Sequence, residues 1–249
     1  MEKTQIIIGG LTILEPMTAL TDMLVSVVCF YAFAKLKQRS QTSGYMQLYP
    51  YFFLAMGIST LSGAVMTHAF SYIFQNEPDI LPDAVENTQW FYLLEHNYQK
   101  LPSWIFNIIS VTIFTFAMIY RSEKFFGKKI QAILYSFSIL ETIAMLSLMI
   151  YKMTFMFAEM HIGISLWIIS MPVQIKIWQR HRKREALIIM LATFTTTLTG
   201  IVLAPKLSLG KWFNHFDISH VIIAISMYFF YLAGLCWHND YDNETTNAN

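Results

Sequence analysis

The feature that most constrains this chain is an apolar stretch close to 20 residues long that recurs seven times. A helix rises about 1.5 Å per residue, so a run of that length matches the roughly 30 Å hydrocarbon core of a bilayer. The runs fall at 8–34, 48–74, 103–120, 130–151, 155–175, 186–205 and 214–236. Composition agrees: 55% of the 249 residues are hydrophobic and only 13% are charged, about half the charged share of an ordinary soluble domain. The expectation is an all-α membrane protein, with one seven-helix transmembrane domain over residues 1–238. The polar stretch 239–249 is expected to be a disordered cytoplasmic tail. No basic surface for nucleic acid is evident.

Prolines and tryptophans mark the ends of the runs. Pro16 and Pro102 suit a first helical turn, so the regular part of span one can begin at Pro16, and Pro205 closes span six. Trp90, Trp104, Trp178, Trp212 and Trp237 sit near proposed ends, where interfacial aromatics belong. Basic residues alternate between loops. Loop one holds Lys35, Lys37 and Arg39. Loop three holds Arg121, Lys124, Lys128 and Lys129, and loop five holds Lys176, Arg180, Arg182, Lys183 and Arg184. Loop two is acidic, with Glu77, Asp79, Asp83, Glu86 and Glu95. The positive-inside rule then puts the N-terminus outside and the C-terminus in the cytoplasm. The expected location is a bacterial inner membrane or an equivalent plasma membrane. The sequon at Asn243 would face the cytoplasm and carry no glycan. The N-terminus lacks a basic region, so no removable signal peptide is expected. Cys29 and Cys236 lack metal-type spacing and read as buried thiols.

The ionisable residues inside the runs gather at one end: Glu15 and Asp22 in span one, His68 in span two, and His215, Asp217 and His220 opening span seven. Such groups are costly in hydrocarbon, so several at one depth indicate a site. Histidines with carboxylates suggest zinc. Asp217 and His220 are three apart and share a helix face. His215 is five from His220, roughly 140° around a regular helix. The metal candidates are therefore His68, Asp217 and His220, with His215 optional. Plainer roles compete. Asp217 could cap helix seven, His68 could be an interhelical hydrogen-bond partner, and Glu15 could be a helix-start acid. Glu95, His96 and Asn97 could form a lid or an interfacial turn. Glu159 and His161 open span five on the same side. Glu141 stands mid-span in the fourth run, with no visible connection to the other candidates. The threonines at 193, 195, 196, 197 and 199 read as packing groups between helices.

Seven spans, an acid in span one, a serine-rich stretch with a histidine in span two, and a histidine opening span seven resemble the CREST superfamily, which includes alkaline ceramidases and the progestin/adiponectin receptors. The resemblance implies a zinc ion held by one histidine of helix two and two of helix seven, with a helix-three aspartate and a helix-two serine near a zinc-bound water. It also implies cleavage of lipid amides. His68 and His220 match two of the histidines, and Glu15 resembles the helix-one acid. Phe216 replaces the first histidine of the helix-seven pair, Ala64 replaces the serine, with Ser62 and Ser59 nearby, and span three offers Asn107 rather than an aspartate.

The resulting expectation is a zinc-dependent intramembrane hydrolase of a lipid amide or ester. Zinc is its cofactor and a membrane lipid its substrate. Glu15 or Asp22 would serve as base or as a partner orienting a histidine, and Ser62 would steady the oxyanion. The rival expectation is a non-enzymatic ligand sensor, or a proton- or ion-coupled carrier, built on the same polar pocket.

Overall fold

The structure, a computed structural model, describes residues 4–39, 44–71 and 97–246. Seven helices within them are long and apolar enough to cross a membrane. Numbered by span, they are α1 (Pro16–Arg39), α2 (Gly44–Ser62), α3 (Tyr98–Ser122), α4 (Phe126–Lys152), α5 (Met156–His181), α6 (Arg184–Leu203) and α7 (His215–Thr246). Seven such helices are compatible with an integral, multi-pass membrane protein.

The first span begins later than the apolar run suggests. Residues 5–14 fold as an antiparallel hairpin, β1 (Gln5–Ile8) against β2 (Leu11–Leu14), with Gln5 opposite Leu14 and Ile8 opposite Leu11. Its two-residue turn is Gly9-Gly10, with φ of 57° and 84°. Two successive positive φ values are what a tight hairpin turn with matching twist demands, and glycine meets them without strain. The flanking isoleucines favour a strand. Only at Pro16, which needs no N–H partner in a first turn, does the helix start.

The last helix also departs from expectation. It runs to Thr246, so most of the stretch expected as a disordered tail is helical. That stretch contains neither Gly nor Pro to stop it. Trp90, the acidic residues of loop two and the candidates Glu95 and His96 lie outside the described residues. Asn97 is described, and its side chain accepts a hydrogen bond from Lys100 Nζ at 2.7 Å.

Two helices carry π-helical segments. In α2 the helix continues as Gly63–Ala69, where Phe70 N–H reaches back to the Val65 carbonyl at 2.9 Å. In α5 the segment is Ile164–Ser170. At the start of α4 the chain kinks at Gly127, which has φ 77° and ψ 162°.

α1 packs between α2 and α7; α2 continues onto α3, α7 onto α6, and α5 closes against α3, α4 and α6. The core is aromatic: Tyr49, Phe52, Phe53, Phe114 and Phe230 are buried together, and the Tyr49 hydroxyl donates to the Phe230 carbonyl at 2.8 Å. At the end away from the histidines, Arg121 pairs with Glu185 in a buried contact and lies 4.6 Å from the Trp237 ring. The α6 threonines mostly bond their own helix, and Thr196 also meets Ser226 of α7 at 2.6 Å.

Candidate functional site

The π-helical segment of α2 is where the site begins. A π turn holds an extra residue, and such turns recur at functional positions. Here it carries His68 and places Gly63 against α1. A Cβ on Gly63 would lie 2.9 Å from Asp22 Oδ2 and 3.3 Å from Ser103 Oγ. The missing side chain is thus what lets the Asp22 carboxylate seat between α1, α2 and α3. Asp22 itself is buried, 5% exposed.

Around Asp22 the structure draws together residues from three helices and the hairpin junction. Asp22 Oδ1 is 3.3 Å from His220 Nε2, and Oδ2 is 3.8 Å from His68 Nε2. The two imidazole rings meet edge to face, with centroids 6.2 Å apart. Glu15 Oε2 lies 3.0 Å from His68 Nδ1. Glu15 sits at φ 44°, between the hairpin and α1. Thr21 Oγ1 lies 3.2 Å from His220 Nδ1.

These contacts restrict where the protons are. Thr21 has one hydroxyl proton, and the carbonyls of Met17 and Thr18 each lie 3.0 Å away to accept it. With that proton committed to the backbone, the Thr21 oxygen accepts and His220 Nδ1 donates to it. On His68, Nδ1 faces the Glu15 carboxylate and likewise donates. If both rings are neutral, each then turns a bare Nε2 lone pair toward the Asp22 carboxylate. The Asp22 carboxylate then meets two acceptors, one at each oxygen, and the arrangement calls for positive charge between them.

The other expected site residues make different contacts. Asp217 is fully buried and caps α7. Its Oδ2 accepts from Asn214 N–H at 2.6 Å, while Asn214 Oδ1 accepts from Phe216 N–H at 2.8 Å. This is a capping-box exchange with Asn214, not Asp217, at the N-cap. Asp217 Oδ1 is buried without a hydrogen-bond partner. His215 lies against Phe216, ring centroids 4.3 Å apart, and its Nδ1 has no hydrogen-bond partner. The Ser62 hydroxyl bonds its own helix at the Ile58 carbonyl, 2.8 Å away. Ser59 donates to the Ser103 carbonyl at 2.7 Å. Asn107 Nδ2 lies 3.9 Å from Met56 Sδ.

Two site residues are absent from the sequence reading: Thr21, which fixes the His220 ring, and Ser103, whose hydroxyl shares the space over Gly63 with Asp22. Thr21 gave one signal, a polar residue next to Asp22 inside an apolar run. Ser103 gave no such signal.

Whether zinc fits turns on spacing. Tetrahedral zinc with bonds of 2.0–2.1 Å keeps its ligand atoms about 3.3 Å apart. The Asp22–His220 contact has that spacing, while the Asp22–His68 contact is about 0.5 Å wider. As placed, no group of three or more His, Cys, Asp or Glu among the described residues could hold a metal ion. The donor types are ones that zinc takes, but as placed the His68 side stands too far from Asp22 to share an ion with it.

Residues 17–238 match the model of DUF6962, a family of unknown function, and the chain belongs to that family. No curated protein and no solved structure matches it.

Proposed function

We propose that this DUF6962 protein is a zinc-dependent membrane hydrolase acting on a lipid amide or ester. The observation that carries the reading is the convergence of His68 Nε2, His220 Nε2 and the Asp22 carboxylate, with the far nitrogen of each ring already engaged. A metal-binding histidine characteristically donates its other N–H to a carboxylate or other oxygen, which fixes the tautomer and aims the lone pair. Glu15 does this for His68, and Thr21 does it for His220. His68, His220 and Asp22 would be the ligands, so Asp22 takes the part first given to Asp217. Three protein ligands leave one position open, as in catalytic rather than structural zinc sites. Zinc bound there would supply a Lewis acid and lower the pKa of its water toward 7.

The chain's own residues do the rest. Glu15 holds the His68 ring, and its carboxylate stands ready to accept a proton at the hairpin junction. Ser103 replaces Ser62 as the hydroxyl placed to donate to a developing oxyanion. Asp22 is largely out of water, which strengthens each interaction its carboxylate makes. With the N-terminus outside, the centre lies in the outer leaflet, and a lipid would enter sideways between helices.

A second reading rests on the same contacts. Two protons, one on each Nε2, would also satisfy the Asp22 carboxylate, and the centre would then serve a sensor or a proton-coupled carrier. Elemental mass spectrometry of the protein purified in mild detergent separates the two. Near-stoichiometric zinc is expected in the wild type, reduced at least tenfold in His68→Ala, His220→Ala and Asp22→Asn. Zinc-dependent release of fatty acid from a lipid amide or ester would complete the case. A wild type that stays metal-free after zinc is supplied overturns the hydrolase and leaves the proton reading.

A further inference from the structure

The β1–β2 hairpin carries no charged residue. Its ten residues, Gln5 to Leu14, are six isoleucines and leucines, two glycines, Gln5 and Thr12. Residues opposite each other across a ladder point to one face, and neighbours along a strand point to opposite faces. Ile6, Ile8, Leu11 and Ile13 therefore share one face, and Gln5, Ile7, Thr12 and Leu14 share the other. Both faces are bare toward the tip: Ile7 is 69% exposed, Ile8 61% and Leu11 45%. A ribbon laid on a protein core would instead turn an apolar face inward and a polar face outward. The foot of the hairpin is fixed. β2 packs on the π-helical segment of α2, and the Glu15 N–H donates to the Thr4 carbonyl at 2.7 Å. The Glu15 carboxylate, the first charge along the described chain, turns to His68.

Three surroundings are open to such a ribbon. In water a two-stranded hairpin is marginal, and bare isoleucines beside open strand edges are a template for aggregation. In the hydrocarbon core the N–H and C=O groups along its two outer edges would find no partner. The headgroup layer of a bilayer meets both demands. It supplies hydrogen bonds to the edges and lets apolar side chains dip among the acyl chains. The hairpin is joined to the bundle at that level. α1 begins one residue after Glu15, and its exposed stripe of Leu20, Met23, Leu24 and Val27 is uncharged. α1 packs between α2 and α7, so this stripe is the side left to lipid, and the hairpin continues from its end.

We infer that the β1–β2 hairpin is a lipid-binding element that lies in the headgroup layer at the N-terminal end of α1, with Ile7, Ile8 and Leu11 set among the lipid chains. The partner is the bilayer itself. The inference rests on the seven helices crossing that bilayer and not on zinc. The contact reaches the Asp22 centre through Glu15, whose backbone closes the foot of the hairpin while its carboxylate holds His68.

The test is spin labelling of the full-length protein in phosphatidylcholine vesicles, on a Cys236→Ala background; Cys29 is fully buried and takes no label. A nitroxide at Ile8→Cys is compared with two others. One is at Val27→Cys, eleven residues into α1 and so about 16 Å deep. The other is at Lys128→Cys, an exposed position near the start of α4. Collision with oxygen, which concentrates in lipid, is read against collision with a nickel chelate, which stays in water. The oxygen-to-nickel ratio at Ile8 is expected to stand several-fold above that at Lys128 and below that at Val27. Ile7→Asp, which charges the neighbouring exposed position, should bring the Ile8 ratio down to the Lys128 value. All the labelled positions are exposed, so folding is not at stake. An Ile8 ratio equal to that at Lys128 without the Asp change would stand the hairpin in water, and protection from both reagents would put protein over it. Either result overturns the proposal. The Val27 label separates the two failures: if nickel reaches it, the helices do not cross the bilayer, and if only Ile8 is reached, the hairpin alone is misplaced.

Discussion

At the residue scale, single side chains act here through the protons they hold in place and the space they leave open. Thr21 carries no charge, yet by spending its proton on the backbone it makes its oxygen an acceptor and so orients His220. Gly63 acts through what it lacks. Adding a Cβ 2.9 Å from Asp22 Oδ2 forces either that carboxylate or the helix to move. Overpacking of this kind costs about 1–3 kcal/mol. Gly63→Ala should therefore lower the apparent melting temperature of the purified protein, read by tryptophan fluorescence. An unchanged melting curve would mean that Asp22 is not held where the structure puts it. Asp217 illustrates how one residue type can be read two ways. A carboxylate three positions after Asn214 is a capping pattern legible in the sequence, and so is an Asp/His pair on one helix face. The choice depends on which way the side chain turns, and it turns back to the Asn214 N–H.

At the scale of elements, two devices position the chemistry. The hairpin ending at Glu15 delivers a carboxylate to His68 from outside the helix, and the π turn of α2 presents His68 to α1. Neither follows from hydropathy, because an apolar run of isoleucines before Pro16 is equally good as strand or helix until the Gly9-Gly10 turn is weighed. At the opposite end of the bundle the Arg121–Glu185 pair joins α3 to α6, with Trp237 of α7 beside the guanidinium. Its partners are 9% and 3% exposed at the side chain. Removing one member of such a pair leaves a buried charge uncompensated, at a cost of about 3–5 kcal/mol. Arg121→Ala should destabilise the protein severely in thermal unfolding, and the double change Arg121→Leu with Glu185→Leu should recover much of the loss. Equal damage from the single and double variants would place the importance of Arg121 elsewhere, as in its stacking on Trp237.

At the scale of the whole molecule, the alternation of basic and acidic loops makes a claim about orientation that the helices alone do not. A reporter active only outside the membrane should be silent when fused after Trp237 and active when fused at the N-terminus. The opposite pattern would move the Asp22 centre to the cytoplasmic leaflet. The seven spans were determined by sequence alone, because crossing a bilayer needs about 20 apolar residues in a row, a local property. The gathering of ionisable groups at one end was equally legible, since depth follows from counting residues along each helix. Rotation about each helix axis and the pairing of one helix with another are not local. They arise from packing small residues, π turns and aromatic side chains against distant parts of the chain. Only the tertiary structure, therefore, set Asp22 between His68 and His220, turned Asp217 into a cap, and brought Glu141 and His161, 20 residues apart on different helices, to 2.7 Å.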